Sequence, residues 1–388
     1  MKKLAVILFI TLTYSALCSA QELSADTLAI DSLPNQKQHK NLYDKVIDYF
    51  NHTNDVKPQK DFDFSFIGGP HYSSDTKFGI GAVAAGVYRA DRSDTITQPS
   101  NISIYFDATT SLFFKLGVRG THFFPGDRRR WSYDVNFASV NTKFWGIGYE
   151  NCVNNDNESK YKYLTSRVET EFVWLTLPEL YIGPKIAFDY VNGRDFSKPE
   201  LLNGEDHRTF NLGAGFTVQY DTRDNMTATT HGIYLKLEQL FNPRFLANKY
   251  AFSQTELTAS GFHPLWRGAI LAANLHARFT YGNTPWGLLS TLGGSYTMRG
   301  YFEGRYRDKS EIDICLELRQ HIWRRNGAVI WVGGGTIFPE FSAIRLSRLL
   351  PNYGIGYRWE FKRFINVRLD LGFGKGQTGF IFSINEAF

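Results

Sequence analysis

The feature that most constrains this 388-residue chain is an alternation of apolar and polar residues that recurs from Phe62 onward. A period of two sends successive side chains to opposite faces of a strand. In the stretch 210–220, Phe210, Leu212, Ala214, Phe216, Val218 and Tyr220 share one face, and Asn211, Gly213, Gly215, Thr217 and Gln219 share the other. The pattern returns at 312–322, where Ile312, Ile314, Leu316, Leu318 and Ile322 oppose Asp313, Cys315, Glu317, Arg319 and His321. It returns again at 365–373, with Ile365, Val367, Leu369, Leu371 and Phe373 against Asn366, Arg368 and Asp370. A half-buried sheet in a soluble protein alternates too. Here the apolar face is large and aromatic and the polar face carries full charges, which suits lipid on one side and a hydrated lumen on the other.

Composition points the same way. Aromatics make up 16% of the chain and 34 glycines accompany them. No apolar run after Leu17 approaches the roughly 20 residues of a helical span. Strands are expected near 62–69, 77–89, 100–109, 112–122, 130–140, 160–175, 178–191, 208–220, 231–241, 249–262, 267–281, 310–323, 327–338, 351–361, 363–374 and 377–388. The fold class is therefore all-β: a transmembrane antiparallel β-barrel of about sixteen strands, even in number as bacterial single-chain barrels are. An even count puts both ends of the barrel on the periplasmic side. The long connections 141–159, 192–207, 282–309 and 339–350 then lie outside, although 90–99 and 221–230 are long for periplasmic turns.

The N-terminal residues read differently. Met1-Lys2-Lys3, the apolar run 4–17 and the small residues ending at Ala20 form a signal peptide cleaved before Gln21. Residues 21–61 form a polar periplasmic arm, with Leu42, Val46, Ile47 and Phe50 at helical spacing. The barrel is expected to span 62–388. The formal net charge is only +5, and no basic tract argues for nucleic acid. Cys152 and Cys315 are too few for a disulfide framework.

Four segments, taken in order, resemble the barrel domain of the BamA/TamA superfamily, the bacterial surface antigen family. Asp221-Thr222-Arg223-Asp224-Asn225 followed by Gly232 resembles the family's DxRDN…PxxG turn, with Thr229 at the proline position. Met298-Arg299-Gly300-Tyr301 resembles its VRGF/Y loop motif, and it falls in the long connection 282–309. Gly354-Ile355-Gly356-Tyr357-Arg358 and Arg368-Leu369-Asp370 resemble its closing segments. A C-terminal strand with Phe380, Phe382, Ile384 and Phe388 in alternate register resembles the barrel recognition signal, interrupted at Glu386. The resemblance implies that Arg299 tucks into the lumen and meets acidic residues of the next two strands. Glu317 stands at the first of these places. Gly333, in Trp331-Val332-Gly333, stands where the family has an aspartate, so one carboxylate partner is expected and not two. The family's assembly and secretion members carry periplasmic POTRA domains of about 75 residues, and 21–61 is too short for one.

The chemistry of the remaining residues is read as structural. A solvated outer loop is the alternative to a tucked one at 293–307. His276, Arg278, Arg319, His321, Arg358, Arg368 and Asp370 face inward by alternation, as a mutually neutralised lumen requires. No HExxH or GxSxG pattern occurs, and His231 and Ser253 are not placed together by anything in the sequence. No catalytic residue, metal ligand or cofactor is assigned, and the chain is read as a non-enzyme. Three functions stay open: assistance to outer-membrane protein assembly, insertion or translocation with separate partners; a gated channel with the Arg299 loop as plug; and a structural or partner-binding barrel. The partners expected are outer-membrane lipids and proteins met through residues 21–61, and the expected place is the outer membrane of a Gram-negative bacterium.

Overall fold

Sixteen strands form one antiparallel sheet in which each pairs with its neighbours in chain order. The computed structural model describes residues 62–388 apart from 74–76, 90, 92–96 and 363–364. The expected signal peptide and arm helix lie outside the described residues. The first eleven strands are β1 (Phe62–Ser73), β2 (Lys77–Tyr88), β3 (Ser100–Thr109), β4 (Phe114–Phe123), β5 (Arg129–Phe144), β6 (Ser159–Leu177), β7 (Leu180–Arg194), β8 (Arg208–Asp221), β9 (Gly232–Asn242), β10 (Phe252–Trp266) and β11 (Ala269–Gly282). A long connection then carries a two-stranded hairpin of its own, β12 (Ser290–Leu292) with β13 (Tyr306–Asp308). The sheet resumes with β14 (Ser310–Trp323), β15 (Asn326–Phe338), β16 (Leu350–Lys362), β17 (Ile365–Gly374) and β18 (Gln377–Ile384). β1 and β18 lie beside each other, and the sheet curls round into a barrel.

The alternation sorts side chains as lipid and lumen demand. Phe216 and Tyr220 are exposed on the outside of β8, whereas Thr217 and Gln219 between them are buried inside. At the periplasmic rim the outward rings collect into a girdle. His122 packs edge-on against Phe124 with centroids 4.6 Å apart, Phe172 against Trp174 at 4.8 Å, and the Trp131 indole donates to Thr170 Oγ1 at 2.9 Å. Such rings suit the membrane–water boundary because one end is apolar and the other wet.

Strand lengths are uneven round the barrel. β6 has 19 residues and β18 only 8. Four strand ends differ from expectation by four residues: β5 runs on to Phe144 and β10 to Trp266, and the ends of β1 and β18 differ likewise. β1 continues through Gly68-Gly69 to Ser73. β18 stops at Ile384 because Asn385 takes φ +67°, a left-handed conformation that breaks a ladder.

The outer loops pack into two apolar clusters at the outer mouth. Helix α1 (Tyr149–Val153) packs Tyr149 and Cys152 against Leu292, Met298, Tyr301 and Tyr306 of the long connection. Beside it Phe144, Tyr161, Val191, Leu202, Leu288 and the fully buried Trp286 form a second apolar cluster, with Phe196 stacked on Tyr161. Trp286 donates to the Asp206 carbonyl at 2.8 Å, and Arg307 donates to the Trp286 carbonyl at 3.0 Å. Trp286→Ala is expected to cost about 3–5 kcal/mol, the range for deleting a buried Trp side chain. It should lower the thermal midpoint of the folded barrel and expose residues 195–207 to protease. A variant with wild-type protease resistance in that loop would show that the loop packing does not depend on Trp286.

Candidate functional site in the barrel interior

The long connection folds back into the lumen. Within it Met298 (φ +45°) and Gly300 (φ +107°) bracket a tight turn closed by Tyr301 N–H donating to the Met298 carbonyl at 3.1 Å. That turn aims Arg299 at the wall. Its guanidinium is 1% exposed, donates to Asp370 Oδ2 at 2.8 Å and to Glu317 Oε2, and lies 3.7 Å from the centre of the Trp331 ring. The Arg299 carbonyl accepts from Asn352 Nδ2, and Asn352 Oδ1 accepts from the Trp331 indole at 3.0 Å. A planar fork against two carboxylates and an aromatic face uses what arginine has and lysine lacks.

The pairing extends beyond one residue. Glu317 also accepts from Arg319 Nε at 2.7 Å, and Asp370 from Arg358 at 2.6 Å, with Arg368 at 3.4 Å. Arg358 Nε in turn donates to Glu386 at 2.7 Å, and Arg368 to the Ser295 carbonyl of the loop at 2.7 Å. Four arginines thus share three buried carboxylates. Buried charges on this scale persist only when paired, and removing one partner strands the others.

One expectation needs correction. Arg299 has two carboxylate partners, and the second comes from β17 as Asp370. Gly333 leaves no room for one of its own, because a Cβ there would run into the Ile314 carbonyl. Trp331, two residues earlier on the same face of β15, supplies its ring to the guanidinium instead.

The floor under the loop is paved with glycine. A Cβ on Gly372 would overlap the Arg299 carbonyl, one on Gly374 the Tyr301 ring, and one on Gly379 would stand 3.0 Å from Gly300 Cα. Tyr301 is fixed above this floor. Its hydroxyl donates to the Pro351 carbonyl at 2.7 Å and accepts from Lys375 N–H at 2.7 Å. The glycines sit on the inward face of neighbouring strands, and in the sequence they look like ordinary strand glycines.

The residues of the turn motif meet at the periplasmic end. Asp221 accepts from Arg130 at 3.0 Å and from Arg223 Nε at 2.8 Å, and the Arg223 guanidinium covers the Tyr234 ring at 3.9 Å. Asn225 Oδ1 accepts from Thr227 N–H and Ala228 N–H, and Asp224 from Thr230 N–H and Oγ1. Partial burial pulls the Asp224 carboxyl up, but the bonds from Thr230 and His231 outweigh it and hold the group below its usual range. Gly232 takes φ +114°, where a Cβ would strike the backbone of Thr222 and Arg223. Thr229, at the proline position, donates Oγ1 to the Asn225 carbonyl at 2.6 Å, a bond no proline could make.

At the C-terminal segment, Phe380 and Phe382 face outward and Ile384 is the last strand residue. Phe388 is not on that strand. Its ring lies 6.2 Å from Phe262 of β10 and 5.1 Å from the Arg319 guanidinium, and its carbonyl oxygen accepts from Arg319 at 2.9 Å. The turn at Asn385 sends Glu386 inward to Arg358, which accounts for the charge that interrupts the apolar series.

The other inward residues are neutralised by neighbours. His276 lies between Glu256 and Asp313, 3.2 and 3.3 Å from its two ring nitrogens, and Arg167 donates to Asp189 at 2.6 Å. His321 is at the exposed end of β14, near the Arg324 carbonyl. His231 and Ser253 stand at opposite ends of the wall, one beside the periplasmic turn and one at the outer end of β10. Among the described residues no cluster of His, Cys, Asp and Glu is arranged to hold a metal ion. A cavity of about 1310 Å³ adjoins the loop, lined by charged residues such as Arg119, Asp134, Lys185 and Glu238 and by Tyr296, Gly300 and Tyr301.

Residues 103–388 match the Omp85 superfamily domain. The chain belongs to the Omp85 superfamily. As an Omp85 barrel it resides in the outer membrane of a Gram-negative bacterium. Its fold is similar to that of BamA from Haemophilus ducreyi lacking POTRA domains 1–3, with a TM-score of 0.54 at 12% identity, over 84% of this chain and 70% of that one. It is also similar to CdiB from Acinetobacter baumannii (TM-score 0.54, 10% identity, 84% of this chain and 60% of that one). CdiB from Escherichia coli gives a TM-score of 0.52 at 10% identity, with 85% and 62% covered. The chain thus spans less than two thirds of either CdiB. No curated protein matches the sequence.

Proposed function

We propose that this Omp85 barrel assists the insertion, assembly or translocation of outer-membrane proteins along its β1–β18 edge, together with separate partner proteins. The observation that carries the reading is the uneven wall. At about 3.3 Å per residue and a tilt near 40°, the 19 residues of β6 rise about 48 Å and the 8 of β18 about 20 Å. The second figure falls short of an apolar band about 25 Å tall, so the bilayer beside β18 is compressed at some cost in free energy. A client strand entering there would meet a smaller barrier than elsewhere on the wall. The loop seated in the lumen by Arg299 favours a lateral path over an axial one. The arm 21–61 is the proposed handle for partners.

A cysteine at Gly69 on β1, whose partner Gly81 lines the lumen, and one at Ile381 or Ser383 on the lumen face of β18, in a background lacking Cys152 and Cys315, test this. An oxidised link that holds the edge shut should lower the abundance of other outer-membrane barrels, and reductant should restore it. Unchanged abundance with the link fully formed would sink the proposal. A gated pore is the second reading, favoured by the charged cavity beside the loop. In that case planar bilayers should show conductance that rises when Arg299 is replaced.

A further inference from the structure

The outer rim of β5–β8 carries a row of cations that faces away from the barrel. Lys143, Lys160, Lys162, Arg194 and Arg208 all occupy outward positions, because the residues beside them point inward. Phe144, Tyr161, Gly193 and Thr209 are buried within. The pairing register sets like charges directly opposite one another, Lys143 against Lys160 and Lys162 against Arg194. Such pairs are unfavourable unless an anion stands between them. Glu158 meets Lys143 at 2.8 Å and Asp195 meets Lys162 at 2.7 Å, and the Asp195 charge is also felt by Arg194. Lys160 and Arg208 are exposed and have no ion pair among the described residues. Two carboxylates against five cations leave the row with a net charge of about +3, by the usual ionisation of these groups at neutral pH.

Height fixes what the row faces. Twelve residues of β6 separate Trp174, in the periplasmic girdle, from Lys162. At about 3.3 Å per residue and a tilt near 40°, they span about 30 Å, which carries Lys162 just beyond the far edge of an apolar band about 25 Å tall. Below the cations the outward face first carries Asn141 and Ser139 on β5 and Asn192 and Tyr190 on β7 beside Leu164 on β6, and Phe188, six residues below Arg194, packs edge-on against Phe210, centroids 5.2 Å apart. Acyl chains against this wall would bring their headgroup to the cations.

We infer that the β5–β8 rim binds a phosphorylated glycolipid of the outer leaflet, with its phosphates on Lys160, Arg194 and Arg208 and its acyl chains on Leu164, Phe188 and Phe210. Paired phosphates carry the charge that the two local carboxylates do not supply, and bonds between ionised partners are the strong ones. Binding at this rim does not depend on what passes along the β1–β18 edge.

The full chain, purified in detergent and assayed by native mass spectrometry with bisphosphorylated lipid A, tests the site. Wild type should hold lipid A about tenfold more tightly than the dephosphorylated lipid. K160Q/R208Q should remove that preference, and K160R/R208K should keep it. K309Q/K375Q, which changes two other exposed outer lysines, should bind as wild type. Folding of each variant is read from its heat-modifiable mobility on gels. Equal retention of phosphorylated and dephosphorylated lipid would overturn the inference. So would wild-type binding by folded K160Q/R208Q, or displacement of lipid A by millimolar inorganic phosphate, which would mark a site for free phosphate.

Discussion

Arg299→Ala is expected to cost the folded barrel about 3–5 kcal/mol, the range for removing one partner of a buried ion pair. Glu317 and Asp370 are both fully buried, so water cannot replace the guanidinium. Arg319 would still hold Glu317, and Arg358 and Arg368 would still hold Asp370, which keeps the loss within that range. The Arg299 carbonyl bond to Asn352 and the contact with Trp331 depend on the same turn. The loop 283–309 should therefore become accessible to protease while the strands persist, and the thermal midpoint of the barrel should fall. Arg299→Lys should land between the two, since it keeps the charge and loses the fork. Wild-type stability and loop protection in Arg299→Ala would mean that the loop is seated by its hairpin and apolar packing alone.

Gly300→Ala should have an effect of similar size without touching any charge. At φ +107° a side chain costs about 1–3 kcal/mol in backbone strain. The added Cβ would also stand 2.5 Å from the Gly372 carbonyl carbon, and overpacking of that kind adds about 1–3 kcal/mol. The loop would have to lift off β17, drawing Arg299 from its partners. The same protease and melting measurements read this, and Gly372→Val should reproduce it from the other side. If Gly372→Val left the loop protected while Gly300→Ala exposed it, backbone strain and not the close approach would be the cause.

Most strand positions were legible because lipid and lumen impose opposite demands on alternate residues. The register of 312–322 follows from Ile314 and Leu316 against Asp313 and Glu317 without further information. The break at Asn385 was not legible, since Phe388 continues the alternation on paper and only a backbone dihedral removes it from the strand. Glu317 could be named as an Arg299 partner because the family resemblance places an acidic residue on the strand after the loop and alternation turns Glu317 inward. Asp370 was seen to face inward, yet its meeting with Arg299 depends on how far the loop crosses the lumen, which strand alternation does not encode. The glycine floor was missed for a related reason. A glycine on a strand reads as weakness until the segment lying on it is known.

That floor ties two parts of the molecule into one moving piece. Gly379 belongs to β18, at the edge of the sheet, and it bears directly on Gly300 of the loop. The edge strand therefore cannot move inward while the loop is seated. If it shifts outward, the loop loses a supporting surface beside its charged anchor. If the loop stays clamped by Arg299, the strand is tethered to it at its outer end by Phe302 N–H donating to Gln377 Oε1 at 3.0 Å. Opening of the wall and seating of the loop are thus geared to each other, with a pair of side-chain-free residues as the teeth.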